Sequence, residues 1–225
     1  MAVLFRSVAT ATVTASTSLV ITKPSGTVEN DVMLAVITNN RDTADATITA
    51  PAGWTSLGSQ GMINGEGFTG LGQAFHRRAG GSEGANYTWT INGTDNVAVG
   101  AISCYQNVSS SSGPVDTSAF AAFDNTSAPV ASSVTTTMPR DMLVVLTALI
   151  EQVTSTPPVS MTERADFSGT TGLVKSAANV ADELLSATGA TGTRTFSTSG
   201  VTDCGVWTVA LLQGAVTRGY GMVSG

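Results

Sequence analysis

The sequence predicts an all-β fold: a two-sheet antiparallel β-sandwich with jelly-roll-like connections, built from two similar halves. Three observations lead there. Composition is the first: 34 Thr and 24 Val in 225 residues stand against 12% charged and 6% aromatic residues. β-Branched side chains lose rotamer freedom on a helix and pack well on a pleated surface, so this mixture argues against a helical bundle. The second is an internal repeat, in which four blocks recur in the same order about 110 residues apart. The third is the pair of short continuous apolar runs that open after Asp31 and Asp141, a pattern suited to strands buried on both faces.

In chain order, the first half holds Asn30–Thr38, Ala50–Gly58, Gly72–Thr90 and Val97–Gln106. The second half answers with Arg140–Ala148, Pro157–Ala165, Ala178–Phe196 and Val206–Gln213. Val32–Ile37 and Met142–Ile150 are the apolar runs, and the repeat matches Val32–Ile37 with Leu143–Ala148, both central, across a pseudo-two-fold. Tyr87–Ile91 alternates and ends in Asn92-Gly93, a strong turn signal. Over residues 97–105 the side chains of Val97, Val99, Ala101, Ser103 and Tyr105 share one face. Turns are expected at Lys23–Gly26, Pro51–Gly53, Ser109–Pro114 and Pro157-Pro158. Ala177–Ala187 would be helical on propensity alone. Its partner in the first half, Ala74–Ala79, reads as a strand, and the repeat therefore makes Ala177–Ala187 a strand as well. One sandwich domain is expected over 1–213, with repeats at about 5–108 and 114–213 and a tail over 214–225.

Charge narrows the partners. Ten Lys and Arg against sixteen Asp and Glu give a net charge of −6, the reverse of the basic surface that nucleic-acid binding needs. No apolar run is long enough to cross a bilayer as a helix. The first sixteen residues are too interrupted by Ser, Thr and Arg6 for a signal peptide, so synthesis and residence in a cytoplasm are expected. The sequons at Asn86, Asn92, Asn107 and Asn125 are then expected to stay unused. Cys104 and Cys204 are too few for a disulfide framework and are expected as buried free thiols.

The chemistry-bearing residues do not assemble into a catalytic pattern. His76 is the sole histidine, set beside Arg77 and Arg78, whose charge disfavours its protonated form. There is no Gly-x-Ser-x-Gly elbow, and one His with two distant Cys gives no zinc-ligand spacing. Gly65–Gly70 matches the dinucleotide fingerprint by letter, but a strand rather than a helix is expected after it, so the match is incidental. Asp182 and Glu183 are adjacent and would point to opposite faces of a strand. Asp42/Asp45 and Asp116/Asp124 read as solvated loop charges without calcium spacing. Trp54, Trp89 and Trp207 read as core or end-plugging residues. No catalytic residue, metal site or cofactor is expected.

Thr22–Val36, Ala50–Thr55, His76–Thr90, Ala101–Tyr105, Ser133–Thr137 and Ala187–Thr195 carry a resemblance. Together they resemble a phage and prophage module of virion surfaces, over about Phe5 to Leu212. Pro157–Thr162 departs from it, lacking the Gly-Trp of the first repeat. The resemblance implies a non-enzymatic structural protein of the virion surface, made in the host cytoplasm, with decoration of the capsid as the leading role. The alternative is a tail or neck appendage that binds a receptor or glycan, a role that exposed Trp54 or Tyr105 would favour. Expected partners are the major capsid protein or tail and neck proteins, together with further copies of the chain. Candidate partner contacts are Tyr220 and Met222 in the tail, and Arg77 and Arg78. The repeat sets His76–Arg78 opposite Ala181–Glu183 in sign, which allows either an internal pairing or contacts with a neighbour.

Overall fold

Asp31 and Asp141 each precede a strand buried on both faces, and those two strands organise the molecule. The computed structural model describes residues 1–41, 46–58, 61–65, 68–110 and 113–214, with backbone only for 61–65 and 68–69. In the first half the strands are β1 (Leu4–Thr14), β2 (Ser18–Thr22), β3 (Val32–Arg41), β4 (Ile48–Thr49), β5 (Thr55–Ser56), β6 (Gly61–Gly65), β7 (Phe68–Arg78), β8 (Asn86–Ile91) and β9 (Asn96–Gln106). They form a large antiparallel sheet in the order β1-β9-β3-β7-β5, with β6 also on β7, and a small sheet β2-β8-β4. The chain passes between the two sheets as it advances but stays in the large sheet over β5, β6 and β7.

The second half repeats that plan. Its strands are β10 (Val115–Thr126), β11 (Val130–Ala131), β12 (Thr135–Thr136), β13 (Met142–Leu149), β14 (Ser155–Thr156), β15 (Thr162–Thr171), β16 (Val174–Leu184), β17 (Gly189–Ala190), β18 (Arg194–Thr195), β19 (Ser197–Thr198) and β20 (Thr202–Leu211). The large sheet runs β10-β20-β13-β16-β15, the same order as the first with each strand replaced by its counterpart. The small sheet is broken into the ladders β11-β18, β12-β17 and β14-β19. Strand β16 covers the segment whose Ala, Glu and Leu favour a helix; pairing on both sides with β13 and β15 overrides that preference.

The two large sheets face each other, one from each half, and the small sheets cover their outer faces. Four layers enclose three cores. Between the large sheets lie Leu34, Val36, Val99 and Tyr105 against Val144, Leu146, Val180 and Trp207. The first outer core gathers Met33, Ile37, Phe75, Trp54, Trp89 and Ile102, and the second gathers Val145, Leu149, Ala181, Phe196 and Val206. A central strand buried on both faces cannot alternate polar and apolar residues, which is why β3 and β13 appear as continuous apolar runs. Across the interface β1 meets β15 while β10 meets β6, and β3 meets β13. Such reciprocal contacts mark a two-fold relation between the halves.

Register corrects the expected match by one residue. Phe5, Tyr105 and Val32 lie in one row across the first sheet, and Val115, Leu211 and Met142 in the corresponding row of the second. Val32 therefore matches Met142, not Leu143. Parity enforces this, because Val32 and Met142 face the central core while Leu143 faces outward. By the same register His76 matches Asp182 and Arg77 matches Glu183. Asp116 and Asp124 lie on β10 rather than in loops, and Asp42 and Asp45 lie outside the described residues. Gly65 pairs with Phe68 across a hairpin and β7 follows directly, so the fingerprint has no helix after it.

Candidate functional site

The four candidate partner contacts divide into two that the structure describes and two that it does not. Tyr220 and Met222 lie outside the described residues. Arg77 and Arg78 end β7, and the chain itself engages both guanidinium groups. Arg77 forms an ion pair with Glu83 at 3.0 Å and donates to the Ala52 carbonyl at 2.9 Å. Gly53, at φ 84°, leaves room for it; a Cβ there would sit 1.9 Å from Arg77 Nη1. Burial pulls the Glu83 carboxyl upward, but the Gly80 N–H, Arg77 and the Tyr87 hydroxyl outweigh it and hold the carboxyl below its ordinary range. Arg78 donates to the carbonyls of Asn30 and Ser109. Neither arginine faces Asp182 or Glu183, which pair instead with Arg164 and Arg194 at 2.8 Å each. The internal pairing that sequence allowed is thus not formed, because the two segments cap their own sheets rather than each other.

Where the halves meet, a chain of contacts crosses the interface. Asp182, on β16 and almost fully buried, accepts from the Tyr105 hydroxyl at 3.2 Å and from Arg164 Nε at 2.8 Å. The Arg164 guanidinium lies 4.3 Å from the centroid of Phe5, whose ring meets Tyr105 edge-on at 5.8 Å. Burial first, and then the Asp182 charge, raise Tyr105 well above the ordinary tyrosine range, so its hydroxyl remains a donor. Beside this chain opens a recess of about 550 Å³, lined by Phe5 and Gln106 of the first half and by Ser160, Thr162, Arg164 and Glu183 of the second. Leu4 and Leu184 also line it and are partly exposed.

Other reactive groups are muted. Burial, then the charge of Arg78, lowers His76, so burial leads where the sequence pointed to the arginines. Cys104 and Cys204 are free and buried, with burial pushing their thiols up to about 11 and about 12. In the first outer core Tyr87 meets Trp54 and Trp89 edge to face while the two tryptophans are tilted against each other, and Trp207 lies tilted against Phe120. Among the described residues no group of three His, Cys, Asp or Glu is placed to hold a metal ion. Among the described residues no helix is long and apolar enough to cross a membrane.

Sequence reasoning missed the residues that do the connecting. Arg164 was not singled out, and Asp182 was read for its neighbour Glu183 rather than for Tyr105. Arg6 was read only as a break in an apolar stretch, yet it pairs with Asp31 at 2.7 Å. Position against a strand opened by Asp31 was the available signal. Compared with known proteins, the chain matches no family model, no curated protein and no solved structure.

Proposed function

We propose that the chain is a non-enzymatic structural protein of a phage virion surface, present in many copies and decorating the capsid. The observation that carries the reading is a pair of long lateral edges. Strands β1 and β10 occupy the same position in the two large sheets, and each is paired on one side only among the described residues. β1 carries a single charge, Arg6, and β10 carries only Asp116 and Asp124. Neither contains proline. Bulges interrupt both, yet the ladder runs unbroken over Ser7–Thr14 of β1 and Thr117–Phe123 of β10, and edges this poorly charged are templates for pairing with another chain. A four-layer body suits a building element, and the resemblance over Phe5 to Leu212 supplies the virion. The appendage reading called for an exposed Trp54 or Tyr105, and both are buried.

Cryo-electron microscopy of particles produced with and without this chain tests the reading. Expected is regular extra density over the capsid shell in the first sample alone. Density confined to the tail or neck would replace decoration by the appendage role. Complete absence of the chain from purified particles would overturn both.

A further inference from the structure

The two halves place different partners at one equivalent position. In β1 a bulge leaves Arg6 unpaired between Phe5 and Ser7, and in β10 a bulge leaves Asp116 unpaired between Val115 and Thr117. Since Phe5 and Val115 occupy matching rows, Arg6 matches Asp116, and Asp31 matches Asp141. Bulges re-aim the extra side chain, here toward the residue that opens the central strand. The first half thus sets a guanidinium on Asp31, with an ion pair at 2.7 Å and an Arg6 Nη2 bond at 3.1 Å. The second half sets a carboxyl on a carboxyl.

Asp141 is fully buried, and its Oδ2 finds no donor among its neighbours. Its Oδ1 accepts from the Gln213 N–H at 2.9 Å, where the chain leaves β20. Asp116 accepts from both the backbone N–H and the hydroxyl of Thr137, each at 2.6 Å. Asp116 is therefore supplied with two donors and Asp141 with one, its Oδ2 with none, so the proton of the pair belongs on Asp141 Oδ2, directed at Asp116. The other charged groups near the junction are occupied or turned away: Glu183 on the adjacent β16 is held by Arg194, Arg140 is exposed, and the Met1 ammonium is bonded to the Gly214 carbonyl, one residue past Gln213.

We propose that Asp116 and Asp141 share one proton, and that its loss to solvent loosens the junction formed by Thr137, Asp141 and Gln213. A buried carboxylate on Asp141 and the half-buried carboxylate of Asp116 beside it repel when both are ionised, whereas one proton turns the repulsion into a hydrogen bond. Burial, and after it the neighbouring Asp116, push Asp141 up to about 6, against the restraint of the Gln213 N–H. The closed junction therefore binds its proton more tightly than an opened one does. Stability of the closed form is complete in acid and declines as pH rises from about 4 through about 6.

Amide hydrogen exchange and carboxyl carbon NMR on the full chain test this across pH 4.5–7.5. Once corrected for intrinsic rates, protection of the Gln213 amide should fall roughly tenfold or more over that range. The Val28 amide, which donates to Asp31 beside Arg6, serves as the internal control and should show no such fall. In Asp141→Asn the fall should vanish, and Asp116→Arg, which reproduces the arrangement of the first half, should protect Gln213 throughout. Should Asp141→Asn not fold, Asp116→Arg and the wild-type carboxyl titration decide. A flat Gln213 profile in the wild type, or an undiminished fall in either variant, would overturn the proposal.

Discussion

The Tyr105 hydroxyl lies 3.2 Å from Asp182 Oδ2, a side-chain bond across the central core that ties the last strand of one half to β16 of the other. Its counterpart by symmetry does not exist, because the equivalent residues are Leu211 and His76. The interface is thus two-fold in backbone, but this polar contact has no symmetry mate. Thr38, Asn40 and Ser176 add bonds from side chains of one half to carbonyls of the other, at 3.2, 2.7 and 2.9 Å.

Tyr105→Phe should therefore lower stability by about 1.5–3 kcal/mol, the range for a bond to a charged group. Combined with Asp182→Ala, the losses should fall short of additive, since both remove the same bond. Urea midpoints of the two single variants and the double variant measure this. Strict additivity would show that the contact contributes nothing of its own.

Leu34→Asp and Val145→Asp place an unpaired charge in the central core and the second outer core respectively, and each should cost several kcal/mol. Far-ultraviolet circular dichroism during denaturant titration reads the effect. A cooperatively folded variant with the wild-type midpoint would contradict the burial.

Arg140 has φ 65° and its counterpart Asn30 has φ 71°, so the turn before each central strand demands the left-handed region. Asparagine accepts that region more readily than arginine. Arg140→Asn should stabilise the protein by about 0.5–1 kcal/mol, measured as a raised thermal midpoint. A lowered midpoint would mean that the arginine side chain outweighs the backbone gain.

Both thiols are buried and pushed far from the thiolate form, so a thiol reagent such as DTNB at pH 8 should leave Cys104 and Cys204 unmodified in the native protein. Two equivalents should react in denaturant. Rapid native labelling of either would place it at an opening the packing does not show.

The β-rich class, the repeat and the double burial of β3 and β13 could all be read from residue order, since each depends on apolar spacing along one strand. Strand β16 was legible only through its repeat partner, because Ala177–Leu184 favours a helix locally. The one-residue offset between Val32 and Leu143 was legible in the sequence, since matching Asp31 with Asp141 already sets Val32 on Met142; pairing with Tyr105 and Leu211 gives the same register. The outer ladders escaped. Two-residue strands such as Thr135–Thr136 owe their shape to the strand they meet, not to their own preference. Arg6 and Asp116 took on meaning only once a bulge in each edge strand had turned them toward an aspartate.

Met1 donates its terminal N–H to the Gly214 carbonyl at 3.1 Å, and the Gly214 N–H reaches the Asn107 carbonyl at 2.8 Å. Val108 bridges to Gln213 at the same place. The start of the first half, its exit and the exit of the second therefore converge, and each half closes its own sheets without borrowing a strand. To such a body the order of the halves along the gene is immaterial. A coding sequence reopened in the 107–114 link and rejoined from Gly214 to Met1 would specify the same layers, and recombination at that link could exchange one half whole.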